Sequence, residues 1–157
     1  MLPEPAHRFE NFVVGSGNRL AVAAGRAVAE APGAVYNPLF IYSSSGLGKT
    51  HLVGAIGNLT LQIESRLKVE YLTLDEFVDQ MNAAIASGRM DGFKDKFREV
   101  DLLILDDAQF LTGKRETQSE LLRLLAAWQR GGKQLILTSD RPPAEIADVD
   151  ERLLTRL

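Results

Sequence analysis

One stretch of the chain combines glycines, a lysine and a hydroxyl in an order suited to holding phosphate. Residues 39–42 are apolar, residues 43–47 read Ser-Ser-Ser-Gly-Leu, and Gly48, Lys49 and Thr50 follow directly. Glycine lets backbone N–H groups approach phosphate oxygens closely, and the amino terminus of the helix expected next adds partial positive charge. In such a loop the lysine reaches the β- and γ-phosphates and the threonine hydroxyl binds Mg²⁺. The pattern therefore predicts a nucleotide-binding P-loop.

A second chemical feature is a pair of adjacent carboxylates, Asp106 and Asp107, at the end of an apolar run. Residues 102–105 read Leu-Leu-Ile-Leu, which is typical of a strand buried on both faces of a parallel sheet. Ligands of open α/β sheets bind beyond the carboxyl ends of the strands, so both acids are expected to face the phosphate loop. The alternative is that the two acids only cap the next element.

The phosphate loop departs from the usual Gly-x-x-x-x-Gly-Lys-Ser/Thr pattern at its first position, where this chain has Ser43. Serine is strained wherever the backbone needs the left-handed conformation that glycine tolerates. We therefore expect Ser43 to weaken nucleotide binding without abolishing it. The alternative interpretation is a serine-rich turn between a strand and a helix that holds no ligand.

Composition limits the class of protein. The 157 residues suffice for one domain with a real core, and the apolar fraction of 45% and charged fraction of 25% are ordinary for a globular protein. A net charge of −3 argues against a broadly basic protein that binds duplex DNA. The chain has no cysteine, no signal-peptide pattern and no long apolar run, which predicts a cytoplasmic protein without a membrane segment.

Alternating strand and helix patterns must position these residues. Strands are predicted at 39–42, 69–74, 102–105 and 134–138, and helices at 18–30, 49–66, within 74–98, around 121–128 and at 150–157. Residues 73–76 match a capping box, which begins a helix whose core-facing residues are expected to be Phe77, Val78, Met81 and Ile85. Strands that alternate with helices predict a three-layer α/β domain with a mostly parallel sheet.

Five sequence blocks resemble the AAA+ ATPase domain of the bacterial chromosomal replication initiators, the DnaA family. They are Asn-Phe-Val-Val-Gly at 11–15, Asn-Pro-Leu-Phe-Ile-Tyr at 37–42, Gly-Leu-Gly-Lys-Thr-His-Leu at 46–52, Asp-Asp-Ala-Gln-Phe-Leu at 106–111 and Leu-Thr-Ser-Asp-Arg-Pro-Pro at 137–143. The resemblance implies one partial AAA+ domain over 1–157, with an initiator-type helical insertion at 75–98. It also implies a chain truncated before the last strand of the sheet, the lid and the DNA-binding domain, with strand 39–42 left at an edge.

The resemblance implies roles for individual residues, with ATP or ADP and Mg²⁺ as cofactors. Asp107 and Asp140 would act at the γ-phosphate, and Arg156 would be the arginine finger that completes a neighbouring subunit's site. Arg156 as a solvated terminal arginine remains the alternative. Thr50 and Asp106 would hold Mg²⁺. Nucleotide contacts are implied for Val13, Val14, Asn18, Ser45, Gly46, Leu47, Gly48, Lys49, Thr50 and His51.

The same resemblance implies partners. These are further copies of the chain in a head-to-tail filament, origin DNA and single-stranded DNA, and the replicative helicase or other initiation proteins. Basic residues available for phosphate contacts are Arg89, Lys94, Lys96, Arg98, Lys114 and Arg115. Three acids, Asp91, Asp95 and Glu99, dilute this charge, so a solvated helix face is the alternative.

The function implied is an ATP-switched replication initiator domain that oligomerises and engages origin DNA, with single strands bound through the inserted helices. The alternatives are a helicase loader, or an adaptor of the same family with weak or lost nucleotide hydrolysis. We expect negligible turnover by this chain alone, since the lid and a neighbour's arginine normally complete the site.

Overall fold

Strands and helices alternate along the part of the chain that the computed structural model describes, namely residues 2–3, 19–33, 37–42 and 48–155. The strands are β1 (Leu39–Tyr42), β2 (Val69–Thr73), β3 (Leu102–Asp106) and β4 (Gln134–Ser139). The helices are α1 (Arg19–Glu30), α2 (Lys49–Ile63), α3 (Leu74–Ala86), α4 (Met90–Arg98), α5 (Arg115–Gly131) and α6 (Glu151–Leu154). Short 3₁₀ turns cover Ala108–Leu111 and Pro143–Glu145. Among the described helices, none combines the length and the apolarity needed to cross a bilayer.

The four strands form one parallel sheet in the order β1-β4-β3-β2. Every residue of β3 and β4 is buried, which explains why the runs 102–105 and 135–137 are apolar without alternation. Because the strands are parallel, their last residues share one edge, which we call the carboxyl edge: Tyr42, Thr73, Asp106 and Ser139. The predicted α/β class with a mostly parallel sheet is confirmed.

Helices cover both faces of the sheet and so give three layers. Helices α1 and α2 pack on one face, with Val53 and Ile56 of α2 against Ile104 of β3. Helices α3, α4 and α5 pack on the other face, where Phe97 of α4 and Leu125 of α5 belong to the same buried cluster. Side chains at odd and even positions of β3 therefore belong to the buried clusters on opposite faces of the sheet, because successive side chains of a strand point to opposite faces.

The predicted capping box at the start of α3 is confirmed. The Thr73 side chain accepts a hydrogen bond from the Glu76 N–H at 3.1 Å, and the Glu76 side chain accepts one from the Thr73 N–H at 3.1 Å. Phe77 and Met81 are buried as expected, but the prediction for Ile85 is wrong, because this side chain is 45% exposed. Ile85 lies in the last turn of α3, where it lines an open groove between α3 and α5.

Helix ends differ from their predicted positions by a few residues. Helix α2 ends at Ile63, earlier than expected, and Glu64 follows in an extended conformation. Helix α5 ends as the sequence predicts, because Gly132 adopts the left-handed conformation with φ 73° that glycine tolerates best. Helix α6 covers only Glu151–Leu154 of the helix predicted at 150–157, and residues 156–157 lie outside the described part of the chain.

Candidate nucleotide site

Asp106, the last residue of β3, is the centre of a hydrogen-bond cluster at the carboxyl edge. Its Oδ2 accepts hydrogen bonds from the Thr50 hydroxyl at 2.8 Å and the Tyr71 hydroxyl at 2.5 Å. Its Oδ1 accepts one from the Thr138 hydroxyl. The residue is only 2% exposed. Three donors from three different elements therefore fix the orientation of this carboxylate.

Sheet register brings the donors together. Leu105 pairs with Leu137, so the next residues, Asp106 and Thr138, lie side by side at the ends of adjacent strands. On the other side of β3, Thr73 pairs with Asp106, and Tyr71 lies two residues earlier on the same face of β2. Helix α2 supplies the third donor, Thr50, in its first turn.

The oxygens of Thr50 and Asp106 suit Mg²⁺. This hard cation takes oxygen ligands and usually combines one or two carboxylates with substrate phosphates and water. The Thr50 hydroxyl donates a hydrogen bond to Asp106, which leaves the lone pairs of the hydroxyl oxygen available to a cation. No group of three or more metal-binding acids, histidines or cysteines occurs among the described residues.

The start of α2 is suited to an anion. Gly48 adopts the left-handed conformation with φ 82°, and its carbonyl accepts the Leu52 N–H at 2.8 Å as the helix begins. Glycine has no capping side chain, so N–H groups of the first turn remain available to a phosphate. Lys49, Thr50 and His51 occupy this turn. The other residues predicted to contact nucleotide lie outside the described residues and stay predictions: Val13, Val14, Asn18, Ser45, Gly46 and Leu47.

Asp107 has an uncommon backbone conformation. It adopts the left-handed region with φ 65° and ψ 52°, which aspartate tolerates better than most residues. Its N–H donates to the Thr138 hydroxyl at 2.9 Å, so one threonine contacts both neighbouring acids. The Asp107 carboxylate is half-buried, and among the described residues it receives only a 3.4 Å hydrogen bond from Gln109. Strained backbone of this kind is often found at functional sites.

Asp140 lies directly after β4, and its carboxylate is engaged by Arg141. The guanidinium donates to Asp140 through Nε at 2.6 Å and through a terminal nitrogen at 2.9 Å. These hydrogen bonds lower the pKa of Asp140; desolvation opposes the shift, and the charges of Arg141 and Lys49 add to it. The Asp140 N–H donates to Gln109 Oε1 at 3.2 Å. Asp140 is therefore ionised and lies within the electrostatic reach of Lys49.

Sequence reasoning missed three residues of this site. Thr138 bonds Asp106 and Asp107, Gln109 bonds Asp107 and Asp140, and Tyr71 bonds Asp106. Burial and then the hydrogen bond to Asp106 raise the pKa of Tyr71 above its ordinary value of 10.0, so the hydroxyl stays protonated. Thr138 could have been found, since a hydroxyl ends the apolar run of β4. Tyr71 could not, because its contact depends on strand pairing.

Helix α6, which precedes Arg156, is linked by hydrogen bonds to the turn that follows Asp107. Gln118, which is buried, accepts the Asp150 N–H at 2.9 Å. Its Nε2 donates to the carbonyls of Leu111 at 2.8 Å and Asp148 at 3.0 Å. Gln118 thus joins the 3₁₀ turn after Asp107 to the segment that begins α6. Arg156 itself lies outside the described residues, so its predicted role stays a prediction.

The basic residues predicted to contact DNA do not share one environment, and Lys96 is the most constrained. Its Nζ donates to Gln80 Oε1 at 3.1 Å and lies 3.7 Å from the carboxylate of Glu70. The same nitrogen lies 5.3 Å from the centroid of the Phe97 ring. Lys96 therefore ties α4 to β2 and α3, and less of its charge is available to an external phosphate.

Other basic residues form exposed ion pairs. Arg98 lies 3.2 Å from Asp95, and Arg115 lies 3.4 Å from Asp148. Pairs of this kind are screened by water and are easily exchanged for another anion. Within the described part of the chain, no ion pair involves the remaining three residues of the predicted set, Arg89, Lys94 and Lys114.

A parallel sheet between two layers of helices, with a Gly-Lys-Thr turn beside Asp106 at the end of β3, defines an ATPase domain of the P-loop, AAA+ class. The family model for the bacterial DnaA ATPase domain matches residues 4–157. The chain belongs to the DnaA family, which confirms the resemblance inferred from the sequence blocks.

Relatives agree with this assignment. The chain is 47% identical over 152 residues to the chromosomal replication initiator protein DnaA of Thermus thermophilus, an alignment that covers 97% of this chain and 35% of that protein. The structure of domain III of DnaA from Thermotoga maritima matches with a TM-score of 0.95 and 42% identity, over 99% of this chain and 65% of that one. A replication initiator DnaA bound to AMPPCP and single-stranded DNA matches with a TM-score of 0.94 and 40% identity, over 99% and 48%.

Proposed function

We propose that this chain binds ATP and ADP with Mg²⁺ at the carboxyl edge and acts as the nucleotide-controlled domain of a replication initiator. The observation that carries the proposal is the 2.8 Å hydrogen bond between Thr50 and Asp106, residues 56 positions apart in sequence. The bond joins the first turn after the phosphate loop to the end of β3. The relative that was solved with AMPPCP supports the same ligand chemistry.

Each residue at the edge has a role in this proposal. Lys49 neutralises the β- and γ-phosphates, and Thr50 and Asp106 hold Mg²⁺. Bound Mg²⁺ would offset phosphate charge and orient the oxygens of the transferred group. The half-buried Asp107 orients the attacking water, because its carboxylate keeps free acceptor capacity beside the site. Asp140, directly after β4, would be the polar sensor of the γ-phosphate that the family resemblance implies.

The wider role proposed is an ATP-dependent assembly switch in one cytoplasmic AAA+ domain over 1–157. ATP would favour a head-to-tail filament in which Arg156 completes a neighbour's site, and hydrolysis would reset it. The helical insertion at 75–98, which corresponds to α3 and α4, would contact single-stranded DNA at the origin. The relative solved with single-stranded DNA supports this interaction. The replicative helicase and other initiation proteins remain proposed partners.

An adaptor of the same family with weak or lost hydrolysis is the second candidate. Ser43 favours it, because serine replaces the glycine expected at the start of the phosphate loop. The retained Lys49 and Asp107, together with the Thr50–Asp106 contact, argue against it. We expect weak nucleotide binding and negligible turnover by the isolated chain. Steady ATP hydrolysis by a purified monomer would contradict this expectation.

Calorimetric titration of ADP and ATP with Mg²⁺ tests the proposal. We expect binding by the wild-type chain and none by Lys49→Ala, and a dissociation constant near micromolar would correspond to about −8 kcal/mol. Lys68→Ala is the matched control, since Lys68 precedes β2 at the opposite edge and its exposed side chain pairs with Glu99 at 3.0 Å. Equal binding by wild type and Lys49→Ala would refute a P-loop site.

A further inference from the structure

Tyr71 makes a polar contact that the proposed roles above do not use. Its hydroxyl lies 2.5 Å from Asp106 Oδ2, the same oxygen that accepts the Thr50 hydroxyl at 2.8 Å. The ring is half-buried and packs against the core between the sheet and the helices α1 and α2. Tyr71 is therefore anchored in the core and reaches the edge only with its polar end.

The register of β2 and β3 explains the reach of the side chain. Tyr71 pairs with Ile104, two residues before Asp106, and all three side chains lie on the same face of the sheet. Diagonal neighbours on one face are within reach of an aromatic side chain. The Tyr71 hydroxyl thus reaches Asp106 from β2, and the Thr138 hydroxyl reaches it from β4, on the other side of β3.

We propose that Tyr71 is a positioning residue for the magnesium site, whose hydroxyl fixes the Asp106 carboxylate in the orientation that places Oδ2 beside Thr50. The inference deepens the proposed function and rests on it. Tyrosine suits this role because its ring has few torsions and is already held by the core. Thr50, in contrast, is an exposed residue in the turn that follows the phosphate loop. The Tyr71 bond therefore holds Asp106 in place independently of that loop.

Tyr71→Phe removes the hydroxyl and keeps the ring. We expect the dissociation constant for ADP in EDTA to be unchanged, and the gain in affinity on adding Mg²⁺ to fall about tenfold, the effect of one hydrogen bond to a charged group. Tyr42→Phe is the matched control. It removes the same group from another strand end of the carboxyl edge, where the tyrosine is 53% exposed. We expect the gain in Tyr42→Phe to equal that of the wild type.

The outcomes separate this inference from the proposed function. An unchanged Mg²⁺ gain in Tyr71→Phe, or equal weakening with Mg²⁺ and with EDTA, would overturn the positioning role alone. A wild-type chain that binds no nucleotide would overturn the proposed function and this inference with it.

A second measurement uses only the wild type, in case the variant does not fold. In the chain with isotope-labelled tyrosine and bound ADP, adding Mg²⁺ should shift the ring resonance of Tyr71 and leave that of Tyr42 in place. A Tyr71 resonance that does not respond would also overturn the role.

Discussion

At the carboxyl edge of the sheet, polar side chains converge on Asp106, whereas between α3 and α4 aromatic rings pack against one another. Phe77, Phe93 and Phe97 lie with ring centroids 4.8–5.5 Å apart and are all buried. Of the basic residues of α4, Lys96 and Arg98 are exposed and Lys94 is half-buried. The buried contacts at the carboxyl edge are thus polar, and those between α3 and α4 are apolar. Polar side chains are therefore held more firmly at the carboxyl edge.

The difference shows where the role of a charged residue can be inferred from its place in the fold. Asp106 has three donors because β2, β4 and α2 all end or begin beside it. Lys94 and Lys96 lie two positions apart on one helix, yet only Lys96 is tied to β2 and α3. Strand pairing fixes the position of a residue at a strand end, whereas a long side chain on a helix surface can adopt many conformations. Four predictions test this contrast.

The largest effect is expected in the aromatic cluster. Phe97→Ala should lower the free energy of unfolding by about 3–5 kcal/mol, because it removes a fully buried ring and leaves a cavity between α3, α4 and the sheet. Denaturant titration followed by circular dichroism measures the loss. Phe110→Ala is the control, since that ring is 48% exposed, and its cost should stay below about 1 kcal/mol. Similar losses in both variants would contradict an apolar interior for the α3–α4 pair.

The next effect concerns the interior of the carboxyl edge. Thr138→Val should cost about 2–3 kcal/mol, because the buried Asp106 carboxylate and the Asp107 N–H both lose a partner. Thr138→Ser keeps the hydroxyl and should retain most of the stability. Thr60→Val supplies a second comparison, since the Thr60 hydroxyl is buried and, within the described part of the chain, donates only to the Ile56 carbonyl. If Thr138→Val cost no more than Thr60→Val, the hydroxyl would not link the two acids.

A smaller effect is expected at the opposite edge, where Asp101 links the starts of three strands. Its carboxylate accepts Lys133 Nζ at 2.7 Å and the Lys68 N–H at 2.8 Å. Burial acts to raise the pKa of Asp101, but these bonds and the two lysine charges outweigh burial and lower it below 3.8. A lowered folded-state pKa means that the ionised group stabilises the fold above pH 3.8, and that this stability is lost as pH falls through the folded-state value.

Asp101→Asn should therefore cost about 1–2 kcal/mol at neutral pH and less in acid. Unfolding titrations between neutral pH and pH 3 measure the difference. A gap between wild type and variant that stays constant over this range would exclude Asp101 as a source of acid sensitivity. Glu64→Gln is a suitable control, because that pair with Arg66 is exposed to solvent and should contribute little.

Much of the fold follows from the sequence because local patterns and global packing agree. The continuous apolar run of β3 predicts a fully buried strand, and the capping box predicts where α3 begins. The prediction that Ile85 faces the core is wrong because helical periodicity identifies the apolar face of a helix. It does not show how far along the helix other elements cover that face. Its turn faces an open groove and not the sheet.

The candidate site could be predicted only in part. Lys49, Thr50 and Asp106 belong to motifs, and parallel strands bring such motifs to one edge. Tyr71 belongs to none, since its contact depends on strand register. Gln109 lies in the 106–111 block, but its contacts depend on the left-handed turn at Asp107. The bidentate Asp140–Arg141 pair was also missed, because two adjacent residues need not face one another unless the turn directs them.

The smallest effects are expected at the two lysines of α4, the half-buried Lys94 and the exposed Lys96, which form a matched pair. Lys94→Ala should change the free energy of unfolding by less than about 0.5 kcal/mol, because no ion pair within the described residues holds it. If single-stranded DNA contacts α4, the same change should weaken DNA binding a few-fold. It should also reduce the dependence of log affinity on log salt concentration by about 0.7, the share of one phosphate contact.

Lys96→Ala should instead affect stability more than DNA binding. It loses contacts to Gln80 and Glu70, so unfolding should become easier by about 0.5–1 kcal/mol, with little change in the salt slope.

Fluorescence anisotropy with a labelled oligonucleotide at several salt concentrations, beside denaturant titrations, measures both quantities on the same preparations. Equal salt slopes for the two variants would show that the contacts made by Lys96 within the fold do not withhold its charge from DNA. The position of Lys96 in the fold would then not predict whether its charge is available to DNA. Unequal slopes in the expected direction would show that two lysines on one helix, two positions apart, are separated in function by what the fold places beneath them.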